Sequence, residues 1–128
     1  MKAYITCPCS NSQNRLNLLP VIRLILKKNK INSYIFKIGG VPKEIFKRDY
    51  KQIKDSDLII AEVSESSHGV GIEIGMSYCL DLKRILLIQG KKHITKLAIG
   101  MPGTIIINYK DEEDLKIKLE KTLHKIIV

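Results

Sequence analysis

Residues 57–75 read DLIIAEVSESSHGVGIEIG, and this stretch limits the fold more tightly than any other. Leu58-Ile59-Ile60-Ala61-Glu62-Val63 is an apolar run broken by one acid, with β-branched residues leading. Such a run fits a strand buried on both faces of a parallel sheet. A polar turn, Ser64 to His68, follows it, then Gly69-Val70-Gly71, then a helical pattern from Ile72 through Leu82. In open α/β sheets ligands bind just outside the carboxyl ends of the strands. Free amides and the helix dipole make that place attractive to phosphate and other anions. Gly69 and Gly71 lack a Cβ, so backbone or substrate can approach closely, and Ser67 adds a hydroxyl that donates or accepts.

The flanking sequence repeats the alternation. Ala3 to Thr6 reads as a first strand, followed by a polar turn from Cys7 to Asn14. From Arg15 a helical period begins, with Leu16, Leu19, Ile22, Leu24, Ile25 and Leu26 on a broad apolar face. Pro20 within it either kinks the helix or marks where its regular part starts. Ser33 to Ile38 reads as the second strand, and Pro42 to Lys54 as a helix whose inward face is Ile45, Phe46, Tyr50 and Ile53. Ile85 to Ile88 and Thr104 to Ile107 are the fourth and fifth strands. His93 to Met101 fits either a short helix or a loop. The last helix opens on Asp111 to Asp114 and carries a core stripe of Leu115, Leu119, Leu123 and Ile126. The expected fold is an α/β three-layer sandwich with a five-stranded parallel sheet, flavodoxin-like and doubly wound, in one domain spanning residues 1–128.

Composition narrows the partners. The net charge is +9, but the lysines are spread along the chain and aromatics are only 5%, so no nucleic-acid partner is expected. An acidic small substrate is compatible with that charge. No apolar run approaches the ~20 residues of a membrane span, and the first residues carry no signal-peptide pattern, so the expectation is a cytoplasmic protein with no membrane partner. Cys7-Pro8-Cys9 is not the spacing of a zinc ribbon or a thioredoxin site, and His68, His93 and His124 are scattered. No metal is expected, and Cys7, Cys9 and Cys79 read as reduced thiols.

Two acids stand out. Glu73 sits at the predicted start of a helix beside two glycines, where it either complements the dipole or serves as nucleophile or base. The GxGxE spacing lacks the full dinucleotide fingerprint. Asp49 lies four residues after Ile45 and four before Ile53, which puts it on an inward stripe. An acid there either bridges something structurally or carries chemistry.

With Tyr4, Asp49, the block Asp57 to Ser64 and the block Ser67 to Gly75 so arranged, the chain resembles the nucleoside 2-deoxyribosyltransferase superfamily, and within it the 2'-deoxynucleoside 5'-phosphate N-hydrolases. The likeness extends to about Tyr109, and its specific part is the central block. The resemblance implies that Glu73 is the nucleophile at the anomeric carbon, that Asp49 handles the proton on the leaving base and that Tyr4 positions the nucleophile. It implies that Ser67 holds a 5'-phosphate and that Cys7, Pro8, Cys9, Ser10 and Asn11 line the sugar and phosphate pocket. It also implies homodimers in which a partner segment matching Ala98 to Gly100 completes each site.

The chemistry agrees with the residues: N-glycosidic cleavage passes through an oxocarbenium-like state that one carboxylate traps while a second acid protonates the departing base. Phosphate could be bound by Ser67, Ser10, the amides of Gly69 to Gly71, and Lys96. No cofactor is required, and the substrate is a small deoxynucleotide. Three alternatives remain at this level: a base-exchanging transferase on deoxynucleosides, a glycosidase of another ribosylated metabolite such as CMP, and a nucleotide-sensing module without turnover.

Overall fold

The computed structural model describes residues 1–9 and 15–127. Five parallel strands form one sheet in the order β2-β1-β3-β4-β5. They are β1 (Lys2–Thr6), β2 (Asn32–Ile35), β3 (Leu58–Glu62), β4 (Lys83–Gln89) and β5 (Thr104–Tyr109). The helices are α1 (Leu18–Lys28), α2 (Pro42–Lys54), α3 (His68–Cys79), α4 (Lys96–Ile99) and α5 (Glu112–Ile127). The expected α/β fold with a five-stranded parallel sheet is the observed one.

Side-chain alternation divides the core. Ala3 and Ile5 of β1, Leu58 and Ile60 of β3, and Ile85 and Leu87 of β4 pack on α1 and α5 through Leu19, Ile22, Leu26, Leu115, Leu119 and Leu123. The intervening residues Tyr4, Ile59, Ala61 and Leu86 face the other way, toward Ile53 of α2 and Val70, Ile74 and Ala98 of α3 and α4. Burying each of the three α5 leucines contributes about 2 kcal/mol, and their spacing of four puts all three on the face that meets the sheet.

Several boundaries differ from those expected. α1 begins at Leu18, not Arg15, so Pro20 falls in the first turn, where an amide has no intrahelical acceptor to lose. β2 ends at Ile35, and β5 continues to Tyr109. His93 to Met101 contains the single turn α4. α3 starts at His68, four residues before the expected Ile72, because Ser67 caps it by accepting from the Val70 amide at 3.3 Å. Gly69 and Gly71 therefore belong to the opening of the helix rather than to a preceding turn, and Glu73 is in the second turn, not the first. α2 has the expected bounds, but only Ile53 of its apolar residues is buried. Ile45 and Tyr50 are half-buried and Phe46 is 57% exposed. The helix stands off the sheet at its amino end, and a cavity occupies the space.

Candidate active site

The strand order reverses direction at β1, which is paired with β2 on one side and β3 on the other. The crevice at such a switch point is where doubly wound sheets bind ligands. A cavity of about 590 Å³ opens there. Its lining comes from the end of β1 (Thr6, Cys7, Cys9), the β2–α2 segment (Phe36 to Gly39), α2 (including Phe46, Arg48 and Asp49) and α3 (including Ser67, Gly69 and Glu73).

Glu73 is the anchored acid at the cavity's inner wall. The Tyr4 hydroxyl donates to its Oε2, and the Thr6 hydroxyl donates to Oε1 at 3.0 Å. Residues i and i+2 of a strand share a face, so both hydroxyls reach α3 from β1. Tyr34 stacks on Tyr4 at 5.8 Å between centroids and fixes the phenol ring. Burial pushes the Glu73 carboxyl up from 4.5 to about 7; the bonds from Tyr4 and Thr6 pull it down, and the charge of Asp49 pushes it up. Tyr4 is shifted well above the ordinary phenol range by burial and then by the Glu73 charge, so it stays a donor.

Asp49 lines the same cavity and is half-buried. Its Oδ1 accepts from Nε of Arg48 at 3.2 Å. The expected core position of Asp49 is thus a cavity position, for the same reason that Ile45 and Phe46 are not core. Ser67 uses one lone pair to cap α3, which leaves its hydroxyl hydrogen free to donate into the cavity. The Gly69 backbone also reaches the lining.

The other expected binding residues divide. Cys7 and Cys9 line the cavity, and burial pushes the Cys7 thiol up to about 12, so it is an unreactive wall. Pro8 is buried and outside the lining. Ser10 and Asn11 lie outside the described residues. Gly71 is not an anion donor: its amide donates to the Ser67 carbonyl at 3.1 Å within the helix. Ala98 packs in its own chain's core with Val70 and Ile74, and neither it nor Gly100 reaches this chain's cavity. Lys96 opens α4 and is exposed.

A third acid, at the carboxyl end of β3, was not anticipated. Glu62 ends β3 with no exposed surface. It accepts from the Ser64 amide and the Ser64 hydroxyl, each at 2.7 Å, and from the Tyr109 hydroxyl, with Nε of Arg15 at 3.4 Å. Its neighbours saturate it. Thr6 and Arg48 were also missed; the period-two rule would have found Thr6 once Tyr4 was placed.

No family model matches the chain. A protein of Thermofilum pendens with the provisional name 2'-deoxynucleoside 5'-phosphate N-hydrolase 1 is 25% identical over 137 positions, covering 96% of this chain and 95% of that one. A protein of Syntrophotalea carbinolica with the same provisional name is 30% identical over 92 positions, covering 69% of this chain and 65% of its own. Among solved structures, the CMP N-glycosidase of Clostridium botulinum superposes with a TM-score of 0.72 at 24% identity, covering 94% of this chain and 99% of that one. A 2-deoxyribosyltransferase of Bacillus psychrosaccharolyticus superposes with a TM-score of 0.71 at 18% identity, covering 96% of each chain. The two structural likenesses are likenesses of fold.

Proposed function

We propose that this chain, a member of the nucleoside 2-deoxyribosyltransferase superfamily, is an N-glycosidase that hydrolyses 2'-deoxynucleoside 5'-monophosphates to free base and 2-deoxyribose 5-phosphate. The observation that carries the reading is Glu73, a carboxyl gripped by Tyr4 and Thr6 on the wall of a sugar-sized cavity that Asp49 also lines.

In the first step a Glu73 oxygen bonds to C1' as the C1'–N bond breaks. The bonding electrons leave with the base, which takes a proton from Asp49. In the second step Asp49 accepts a proton from water, whose oxygen attacks C1' and releases Glu73. Oδ1 of Asp49 is held by Arg48, so Oδ2 is the oxygen assigned to this traffic. The absent 2'-hydroxyl leaves room for the ester at C1'.

The phosphate is assigned to the Ser67 hydroxyl and the opening amides of α3, where the helix dipole favours an anion. The working unit is proposed to be a homodimer. Leu97 and Ile99 on α4 are exposed apolar side chains flanking the core residue Ala98, and Leu97 is 81% exposed. Apolar surface on that scale fits a face covered by a second copy.

The test is a panel of deoxynucleoside monophosphates, deoxynucleosides and CMP, with released base measured by mass spectrometry. Base released preferentially from the deoxy monophosphates is the expected result. No base from any of them at high enzyme concentration overturns the reading. A new nucleoside formed on adding a second free base moves the assignment to a transferase.

A further inference from the structure

Arg48 is engaged on three sides. Its Nε donates to Oδ1 of Asp49 at 3.2 Å, its Nη1 to the Gly39 carbonyl at 3.2 Å and its Nη2 to the Lys37 carbonyl at 2.8 Å. Adjacent residues on a helix diverge and do not ordinarily face one another. The pairing of Arg48 with Asp49 therefore comes from the two carbonyls, which draw the guanidinium across. Those carbonyls belong to the segment between β2 and α2, where Lys37, Ile38 and Gly39 form one wall of the cavity.

Beyond a close approach of Gly40 to Ile45, that wall has no strand pairing or helix cap to hold it. β2 ends at Ile35, Gly39 and Gly40 sit at φ +88 and +122, and Val41 opens α2 without a side-chain cap. A Cβ at Gly40 would meet Cγ1 of Ile45 at 3.3 Å, so the turn is also tightly seated on α2. One planar fork thus couples a cavity wall to the acid that faces the leaving base.

We propose that Arg48 is a positioning residue for proton transfer: it fixes the Asp49 carboxyl and the 37–39 wall in one arrangement. The inference rests on the glycosidase reading above. Lysine carries the charge but presents a single ammonium and cannot span a carboxylate and two carbonyls in one plane.

The experiment is a double-variant cycle on kcat with deoxynucleoside monophosphates of good and poor leaving bases. Arg48→Ala and Arg48→Lys each lower kcat by on the order of 10- to 100-fold, as a misplaced group does. The loss is steeper for poor leaving bases, following Asp49→Asn. In an Asp49→Asn background Arg48→Ala costs no more than about twofold further, because a residue acting through Asp49 has nothing left to act on. Full additivity, or a Lys variant with wild-type kcat, overturns the proposal.

A second measurement needs no turnover. The ¹³C resonance of the Asp49 carboxyl and hydrogen exchange at Ile38 to Gly40 are compared in wild type and Arg48→Lys. A moved resonance and faster exchange support the proposal, and no change in either overturns it. Absence of base release by the wild type would overturn the glycosidase assignment and leave this second result standing.

Discussion

Tyr4 and Glu73 lie 69 positions apart in the chain and share a buried hydrogen bond from phenol to carboxylate. The bond joins β1 to the helix that follows its neighbour β3, so it exists only once the sheet has formed. It favours the charged form of a carboxyl that burial otherwise discourages. The pH behaviour of the site follows from that opposition.

Glu73 must be ionised to attack. With its carboxyl held at about 7, kcat/KM should rise with pH to a half-maximum near that value, on an acid limb far above the ordinary glutamate range. A limb centred near the ordinary glutamate value of 4.5 would remove Glu73 from the role of nucleophile.

Removing a donor should move that limb. Tyr4→Phe and Thr6→Val each take away a bond to the carboxylate, and a bond to a charged group is worth about 1.5–3 kcal/mol, or roughly one to two pH units. The midpoint should therefore climb in both variants, with activity falling most at neutral pH. A pH–rate profile that keeps its midpoint while losing amplitude would mean that the hydroxyls only fill space.

The same carboxyl costs stability. Its folded value lies above its unfolded one, so between about 4.5 and 7 the folded state holds a proton that the unfolded chain has released. Stability therefore falls as pH rises through that window, and above it the ionised side chain costs on the order of 3 kcal/mol. Glu73→Gln should unfold at higher urea than the wild type at pH 8 and at the same urea at pH 4. It should also lower kcat by on the order of a thousandfold. A variant less stable than the wild type at pH 8 would contradict the account.

Phe46 is exposed yet lines the cavity, stacked on Tyr50 at 5.7 Å. An aromatic face at a cavity mouth suits a nucleobase, and stacking of this kind is worth about 1–3 kcal/mol. Phe46→Ala should raise KM roughly 5- to 100-fold while Tm stays within a degree or two, since so little of the ring is buried. A fall in Tm with KM unchanged would make Phe46 a packing residue.

The sheet was legible because each strand is a short apolar run between turn residues, and the stripe Leu115, Leu119, Leu123 announced α5. The start of α3 was not: Gly69 and Gly71 look like punctuation, and only the bond from the Val70 amide to Ser67 reveals a helix already under way. Ile45, Phe46 and Asp49 have the spacing of a core face. Spacing cannot say whether a sheet or a hollow lies beneath, and here the hollow does. Glu62 read as an interruption in a strand, since its partners Arg15, Ser64 and Tyr109 meet only in three dimensions.

Glu62 gives the protein an internal reference. Two glutamates lie at the carboxyl edge of the sheet, one enclosed by three hydrogen-bond donors and the Arg15 cation, the other, on α3, left with a face toward the hollow. An epoxide bearing a sugar-like ring, opened by the carboxylate, should esterify Glu73 and spare Glu62 in the same molecule. Peptide mapping would then read selective labelling against a built-in blank, without any knowledge of the natural substrate.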